Sequence, residues 1–180
     1  MYGAILGDII GSPFEFDRGD KTKEFDLFSK DCDFTDDSVM TIAVGEALLA
    51  VGPEATVKEI EEAVVTKMQD WGKRYPYAGY GGRFRHWLRE SNPKPYGSYG
   101  NGSAMRVSAA GWLYDSMERT REVARATANV THNHPEGIKG AEATASAIYM
   151  ARNGFSKEEI KEYIAVSYTH LRAHETELHL

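Results

Sequence analysis

Helical spacing of apolar residues along nearly the whole chain is the feature that most constrains the fold. Thr56 and Glu59 have the spacing of a capping box, and the apolar residues after them recur every three or four positions on one helix face. Pro135 opens an alanine-rich stretch as a first-turn proline, and Gly154 follows its end. No alternating run of β-branched residues competes with this pattern. The sequence therefore predicts an all-α fold.

Interruptions of this pattern predict where the helices begin and end. Three glycines four residues apart, Gly3, Gly7 and Gly11, would let a second helix approach the first one closely. Thr120 is the predicted cap of a helix that ends at Asn129. The other predicted helices span about residues 36–50, 56–71, 81–90, 103–113, 135–152 and 156–164.

The composition indicates one globular domain and narrows the range of functions. The chain has 180 residues, 42% of them hydrophobic, and a formal net charge of −6. This charge argues against a general nucleic-acid or membrane-surface binder. The single Cys32 excludes an internal disulfide framework and suits a reducing compartment. No signal peptide is visible. We therefore expect a cytoplasmic protein, and we expect it to be a monomer.

Residues 166–180 do not follow the pattern of the rest of the chain. They hold three of the six histidines and carry no helix-capping signal. His170 and His174 are four residues apart with Glu175 adjacent, a spacing that zinc sites use. The stretch nevertheless resembles translated adapter sequence, which is excluded from fold reasoning. We expect one domain over residues 1–165 and a non-native tail over 166–180.

The stretch Phe-Thr-Asp-Asp-Ser, residues 34–38, places a hydroxyl and two adjacent carboxylates at the predicted start of a helix. Adjacent carboxylates repel each other unless positive charge lies nearby. Thr35 as an N-cap, with Asp36 and Asp37 in the first turn, would use the helix dipole for this purpose. A divalent cation with oxygen ligands would supply more charge. These residues alone leave both interpretations open.

A further carboxylate, Glu15, follows the first predicted helix. Pro13 should end that helix and place Glu15 on a loop. A carboxylate in such a position can act as a general base on a bound water. The alternative is a solvated loop residue.

Residues 97–102, Gly-Ser-Tyr-Gly-Asn-Gly, form a glycine-rich segment directly before a predicted helix. Glycines there free backbone amides to point at an anion, which the helix dipole also favours. The segment matches neither a Walker sequence nor the dinucleotide-binding fingerprint. It is either a phosphate-binding loop or an ordinary turn, and Arg106 behind it would bind a carboxylate or a ligand.

His132 and His134 lie two residues apart before the alanine-rich helix. Such a pair can ligate a metal, exchange protons, donate to a substrate, or only cap and pack. No third His or Cys is close in sequence, so a zinc site is poorly supported. Tyr75, Tyr77 and Tyr80 either pack conventionally or form a wall for an adenine ring.

Taken together and in this order, these segments resemble the ADP-ribosylglycohydrolase family, which includes the dinitrogenase reductase-activating glycohydrolases. The matching strings are Gly3–Asp8 with Glu15, Phe34–Ser38, Gly97–Arg106, Thr131–His132, and Gly137 with Gly140 and Ala141. The resemblance implies a compact, orthogonal multi-helix fold with two Mg²⁺ ions in a central cleft. This sequence would be the N-terminal portion of such a fold.

The resemblance also implies roles for individual residues. Thr35, Asp36 and Asp37 would be metal ligands, and Glu15 and Asp36 would be catalytic. The residues implied to wrap the diphosphate or lie near the ligand are Gly97, Ser98, Tyr99, Gly100, Asn101, Gly102 and His132. The implied reaction removes ADP-ribose from a modified protein or small molecule by hydrolysis at the ribose anomeric carbon.

One departure from the family pattern concerns the metal centre. The family carries a second acidic motif, Asp-x-Asp-Thr or Asp-x-Asp-Ser, near its C-terminus, whereas this chain contains no Asp after Asp115. We therefore expect a truncated sequence that lacks the second half of the metal centre and is inactive or nearly so. A non-catalytic ADP-ribose-binding module is the alternative. A structural protein that borrowed the fold is a third hypothesis, which the retained Glu15 disfavours.

Overall fold

The computed structural model of the protein describes residues 1–15 and 23–168. Within these ranges the chain forms nine α-helices and one 3-10 turn and has no strand, which confirms the all-α prediction. The helices are α1 Tyr2–Gly11, α2 Asp36–Val51, α3 Val57–Arg74, α4 Gly82–Trp87, α5 Gly102–Met105, α6 Ser108–Leu113, α7 Met117–Asn129, α8 Pro135–Arg152 and α9 Lys157–Tyr168, and the 3-10 turn is Ser12–Phe14. None of the helices in the described ranges combines the length and apolar character needed to cross a bilayer.

Helices α3 and α9 each begin at a side-chain cap, as the sequence predicts. Thr56 Oγ1 accepts a hydrogen bond from the Glu59 amide at 3.3 Å, and the Glu59 carboxylate accepts from the Thr56 amide at 2.8 Å. Ser156 and Glu159 form the same reciprocal pair. Helix α9 continues through residues 166–168. The rest of the predicted tail, with its histidines, lies outside the described residues.

The predicted start of α7 is wrong by one turn. Ser116, not Thr120, is the cap, because the Ser116 hydroxyl accepts from the Arg119 amide at 3.1 Å. Glu118 then lies in the first turn, where the helix dipole favours a carboxylate. Thr120 is fully buried inside the helix.

The predicted helix over 103–113 is two short helices, α5 and α6, interrupted at residues 106–107. The Met105 carbonyl accepts from the Thr41 hydroxyl at 3.1 Å. Arg106 turns into the core and donates to the Thr127 carbonyl at 3.1 Å and to Thr131 Oγ1 at 2.7 Å. These contacts come from distant parts of the chain, and the Thr41 hydroxyl gives the Met105 carbonyl a partner outside the helix.

The long helices pack in the order α1, α2, α3, α7, α8 and α9. The short helices α5 and α6 contact both α2 and α8, and so close the arrangement around one core. This packing brings the starts of α2, α5 and α8 towards one another. Fully buried members of the core include Met40, Val44, Leu48, Ile60, Val64, Met68, Val107 and Val123.

The glycine stripe of α1 is not a helix–helix contact in the part of the chain that the structure describes. A Cβ added at Gly3, Gly7 or Gly11 would meet no atom within 4 Å. Helix α1 instead approaches α2 with the face that carries Ile5 and Asp8. The hydrogen bonds of Asp8 to the start of α2 fix this orientation.

Candidate active site

Asp8 holds the start of α2 through three hydrogen bonds. Its Oδ2 accepts from the Thr35 amide at 2.8 Å and from the Ser38 amide at 3.0 Å. Its Oδ1 accepts from the Thr35 hydroxyl at 2.6 Å. Thr35 Oγ1 also accepts from the Asp37 amide at 3.3 Å, which makes Thr35 the N-cap of α2. The Thr-Asp-Asp turn is therefore capped twice, once by its own threonine and once from α1.

An acidic cluster surrounds this turn. Carboxylate oxygens of Asp8, Glu15 and Asp37, one from each residue, all lie within 4.8 Å of one another. Burial, and then repulsion by Asp8 and Glu15, raises the pKa of Asp37 to about 6. Burial, and then repulsion by Asp37, likewise raises the pKa of Asp36 to about 6. A hard divalent cation would relieve this repulsion, and the oxygen donors are of the kind that Mg²⁺ takes.

A cavity of about 330 Å³ lies next to the cluster, at the lower end of the size range of small-molecule sites. Its lining comes from α2, from α4, from the glycine-rich segment with α5, and from the turn before α8. The lining residues are Asp36, Gly81, Gly82, Arg83, Phe84, Tyr96, Ser98, Gly100, Asn101, Gly102, Met105, Arg106 and His132. Two larger open clefts, of about 690 and 800 Å³, lie along α7 and between α3 and residues 91–95, and neither contains a predicted site residue.

The glycine-rich segment is held against the turn that precedes α8. The Tyr96 and Ser98 amides both donate to the Thr131 carbonyl, at 3.3 and 3.4 Å. The Gly97 amide donates to Asn133 Oδ1 at 2.8 Å. Gly97 has a φ of +64°, a left-handed conformation that favours glycine. These bonds fix the path of the segment along the cavity wall.

Gly137, in the first turn of α8, packs directly on this segment. A Cβ there would lie 2.6 Å from the Ser98 carbonyl oxygen and 3.0 Å from the Cβ of His132. The Ser103 hydroxyl donates to the Gly137 carbonyl at 2.7 Å. Only glycine allows the helix and the segment to approach this closely.

The helix dipole contributes less to this loop than the sequence suggests. Helix α5 has only four residues, because the helix ends at Arg106. A dipole builds up over aligned peptide units, so a single turn supplies little of it. Backbone amides of the segment remain as candidate donors to an anion.

His132 and His134 have different surroundings. His134 caps α8, since its Nδ1 accepts from the Glu136 amide at 3.2 Å. His132 is buried, lines the cavity, and has its Nδ1 2.8 Å from Thr131 Oγ1. Burial, and then the nearby Arg106 charge, lowers the pKa of His132 to about 4. His132 is therefore neutral near pH 7.

The tyrosines considered as a wall for an adenine ring do not line this cavity. Tyr75 stacks on a tryptophan of α3, with ring centroids 5.6 Å apart. Tyr77 is 96% exposed, and Tyr80 is buried in the core. The aromatic part of the lining is formed by Phe84 and Tyr96 instead.

The cavity brings together most of the predicted binding residues, but not all of them. Gly97 supports the turn from outside the lining, and Tyr99 is 74% exposed beside His134. Asp8 belongs to the site although it is not a predicted site residue. Arg106, for which the sequence leaves a carboxylate or a ligand as partner, lines the cavity and has no carboxylate partner among the described residues. For Asp8 the signal in the sequence is a lone carboxylate in an otherwise apolar helix, because such a group is rarely placed there without a partner.

Comparison with known proteins identifies the family. The ADP-ribosylglycohydrolase model matches residues 1–179. ADP-ribosylhydrolase ARH3 of Homo sapiens is 31% identical and that of Mus musculus 29% identical, each over 188 residues that cover 88% of this chain and 50% of the relative. The Xenopus tropicalis protein of the same name is 30% identical over 86% of this chain and 49% of the relative. The chain thus spans about half the length of the curated relatives it matches. It belongs to the ADP-ribosylglycohydrolase family.

Proposed function

We propose that this chain carries the ADP-ribose site and one half of the metal centre of an Mg²⁺-dependent hydrolase. The observation that carries the proposal is the position of Asp36. Its side chain lines the cavity together with Gly100 and His132, while its neighbour Asp37 lies in the acidic cluster. A ligand bound along the glycine-rich segment would therefore meet the carboxylates at one end. The relatives named ADP-ribosylhydrolase support this assignment of the ligand.

In this proposal Thr35, Asp36 and Asp37 hold Mg²⁺ through their oxygens. The bound cation would supply positive charge for the ribose hydroxyls and for the hydrolytic water. Asp8 has a supporting role, because its two oxygens already accept three hydrogen bonds from the Thr-Asp-Asp turn. Glu15 and Asp37 complete the acidic wall beside the cavity.

The proposed reaction breaks the bond between the ribose anomeric carbon and the modified group. Positive charge develops on the ribose as this bond breaks, and the carboxylate of Asp36 would stabilise it. Glu15 would accept a proton from the water whose oxygen bonds to the anomeric carbon. The electron pair of the broken bond would leave with the modified group, which would take up a proton from the solvent. Backbone amides of residues 99, 101 and 102 would bind the diphosphate, since those of Ser98 and Gly100 already donate within the fold. We further propose that the protein acts in the cytoplasm as a monomer on an ADP-ribosylated protein or small molecule.

The second half of the metal centre has no counterpart among the residues of this sequence after Asp115, none of which is an aspartate. We therefore propose that these 180 residues bind ADP-ribose but hydrolyse its conjugates little or not at all. The alternative is a binding module without catalysis. The same cavity supports this alternative. The two possibilities differ in whether a protein from an extended reading frame would hydrolyse ADP-ribose conjugates.

A hydrolysis assay separates the two possibilities. ADP-ribose release from serine- and arginine-linked peptides is measured for this chain and for the product of the reading frame extended past residue 165, each with Mg²⁺ or EDTA. The proposal expects Mg²⁺-dependent release by the longer protein, with a loss of about 100-fold or more in Glu15→Gln. Release by this chain should be near background. Absence of release by the longer protein with every linkage would favour the binding module, and fast release by this chain would contradict the half-site.

A further inference from the structure

Arg106 is a buried cation without a carboxylate partner among the described residues. Its side chain is 1% exposed, and its guanidinium lies 5.8 Å from the centroid of the Phe84 ring. Its Nη2 donates to the Thr127 carbonyl at 3.1 Å and to Thr131 Oγ1 at 2.7 Å. A buried guanidinium is costly to maintain, so its contacts call for an explanation beyond packing. Arg106 and His132 are both among the residues that line the cavity.

The hydroxyl of Thr131 connects Arg106 to His132. Thr131 is fully buried, and its Oγ1 is 2.7 Å from Arg106 Nη2 and 2.8 Å from His132 Nδ1. A guanidinium only donates, so Arg106 occupies a lone pair of the hydroxyl. The single hydroxyl proton is then available for Nδ1. If Nδ1 carried a proton instead, the buried hydroxyl proton would lack this acceptor, which is unfavourable for a buried polar group.

We propose that Arg106 and Thr131 are positioning residues that hold His132 as the tautomer with its proton on Nε2. Nδ1 accepts from Thr131, and the Nε2–H remains as a donor at the cavity. The positive charge of Arg106 on the Nδ1 side acts in the same direction, because it disfavours a proton there. The ring is neutral near pH 7, since burial and Arg106 lower its pKa to about 4.

Gly102 leaves room for the Nε2 edge of the His132 ring at the cavity. A Cβ at Gly102 would lie 3.0 Å from both Cε1 and Nε2 of His132, which is closer than nearly all real Cβ contacts. The absence of a side chain leaves Nε2 beside the start of α5, where the glycine-rich segment ends. Among the described residues, no hydrogen bond engages Nε2.

The ligand that such a donor suits is one with an acceptor oxygen, and here the inference rests on the proposed function. A phosphate or ribose oxygen of ADP-ribose would accept from Nε2–H. The opposite tautomer would present a lone pair to the same oxygen and repel it. The Arg106–Thr131 pair therefore selects for oxygen-rich ligands without placing a charged imidazolium in the cavity.

The tautomer is measured by NMR on the ligand-free chain labelled with ¹⁵N-histidine. The signals of His132 are assigned by their loss in His132→Asn. We expect a single tautomer near pH 7, with Nδ1 unprotonated and Nε2 protonated. In Thr131→Val the two nitrogen shifts should move towards each other, because exchange between tautomers begins, while Thr131→Ser should keep the wild-type shifts. A proton on Nδ1 in the wild-type protein, or unchanged shifts in Thr131→Val, would overturn the proposal. The wild-type spectrum decides even if Thr131→Val does not fold.

A calorimetric titration with ADP-ribose separates this inference from the proposed function. Thr131→Val should bind about tenfold more weakly than wild type, as expected for one lost or misdirected hydrogen bond. Thr131→Ser should bind within about twofold of wild type, since it keeps the hydroxyl. Equal affinity of Thr131→Val and wild type would overturn the role of the tautomer in binding. The expected tautomer without any ADP-ribose binding would instead refute the proposed function.

Discussion

Replacing Asp37 by Asn should stabilise the metal-free protein. Asp37 lies in the acidic cluster, and its carboxylate pays for this position in desolvation and in repulsion by Asp8 and Glu15. Asn has nearly the same shape and carries no charge. The substitution also removes the repulsion that Asp37 exerts on Asp36. Repulsion among these carboxylates lowers the stability of the metal-free protein, and a bound cation would remove this repulsion.

The size of the effect follows from the pKa of Asp37, which rises from 3.8 to about 6 on folding. Between about pH 4 and pH 6 Asp37 keeps its proton in the folded protein but has released it in the unfolded chain. The free energy of unfolding therefore falls as the pH rises from about 4 to 6. A pKa difference of about two corresponds to about 3 kcal/mol. The side chain is partly exposed and screened by water, so we expect about 1 kcal/mol of stabilisation in Asp37→Asn at pH 7.5.

Urea denaturation in EDTA at pH 4 and pH 7.5 tests this expectation. Wild type should lose stability relative to Asp37→Asn between the two pH values, and the variant should be more stable at pH 7.5. Asp26→Asn, which removes an exposed carboxylate, serves as the matched control and should leave this difference unchanged. An Asp37→Asn variant that is no more stable than wild type at pH 7.5 would refute the electrostatic account of the cluster.

Three further contacts are tested by substitution and urea denaturation. Gly137→Ala should cost about 1–3 kcal/mol through its clash with the Ser98 carbonyl, whereas Gly140→Ala, with its nearest contact at 3.8 Å, should cost little; equal stabilities would contradict the close approach. Asp8→Asn should be about 1–2 kcal/mol more stable than Asp8→Ala, because the amide keeps hydrogen bonds to the turn, and no difference would remove its capping role. Ser116→Ala should cost about 1 kcal/mol as a lost N-cap, and an unchanged midpoint would count against that cap.

Local signals were readable from the sequence because their physics is local. The capping box of Thr56 and Glu59 is closed by atoms three residues apart, so the start of α3 follows from those two residues. Pro135 at the start of α8 works in the same way. The predicted start of α7 is wrong because Ser116 and Thr120, one turn apart, can both act as caps.

Features that depend on distant contacts were not readable in this way. The interruption after Met105 requires the Thr41 hydroxyl, which lies 64 residues away in sequence. The inward turn of Arg106 requires the acceptor Thr131. The glycine stripe of α1 predicts a close helix contact from spacing alone, but Asp8 decides which face of α1 meets α2.

The sequence likewise predicts some residues of the candidate site and not others. Ordered motifs predict that Asp36, the glycine-rich segment and His132 serve one ligand, and these residues do line one cavity. The sequence does not indicate that Phe84 and Tyr96 supply its aromatic wall, because they come from α4 and from the segment before the glycines. The position of Phe84 follows from how α4 packs on the core, and that of Tyr96 is held by the bond of its amide to the Thr131 carbonyl.

We propose that one cavity of this chain binds ADP-ribose next to a half-formed Mg²⁺ site. Calorimetric titration of ADP-ribose into the 180-residue chain, once with Mg²⁺ and once with EDTA, measures this binding. We expect binding under both conditions, tighter with Mg²⁺, and no effect of Mg²⁺ in Asp37→Asn. Absence of binding under both conditions by a folded chain would contradict it.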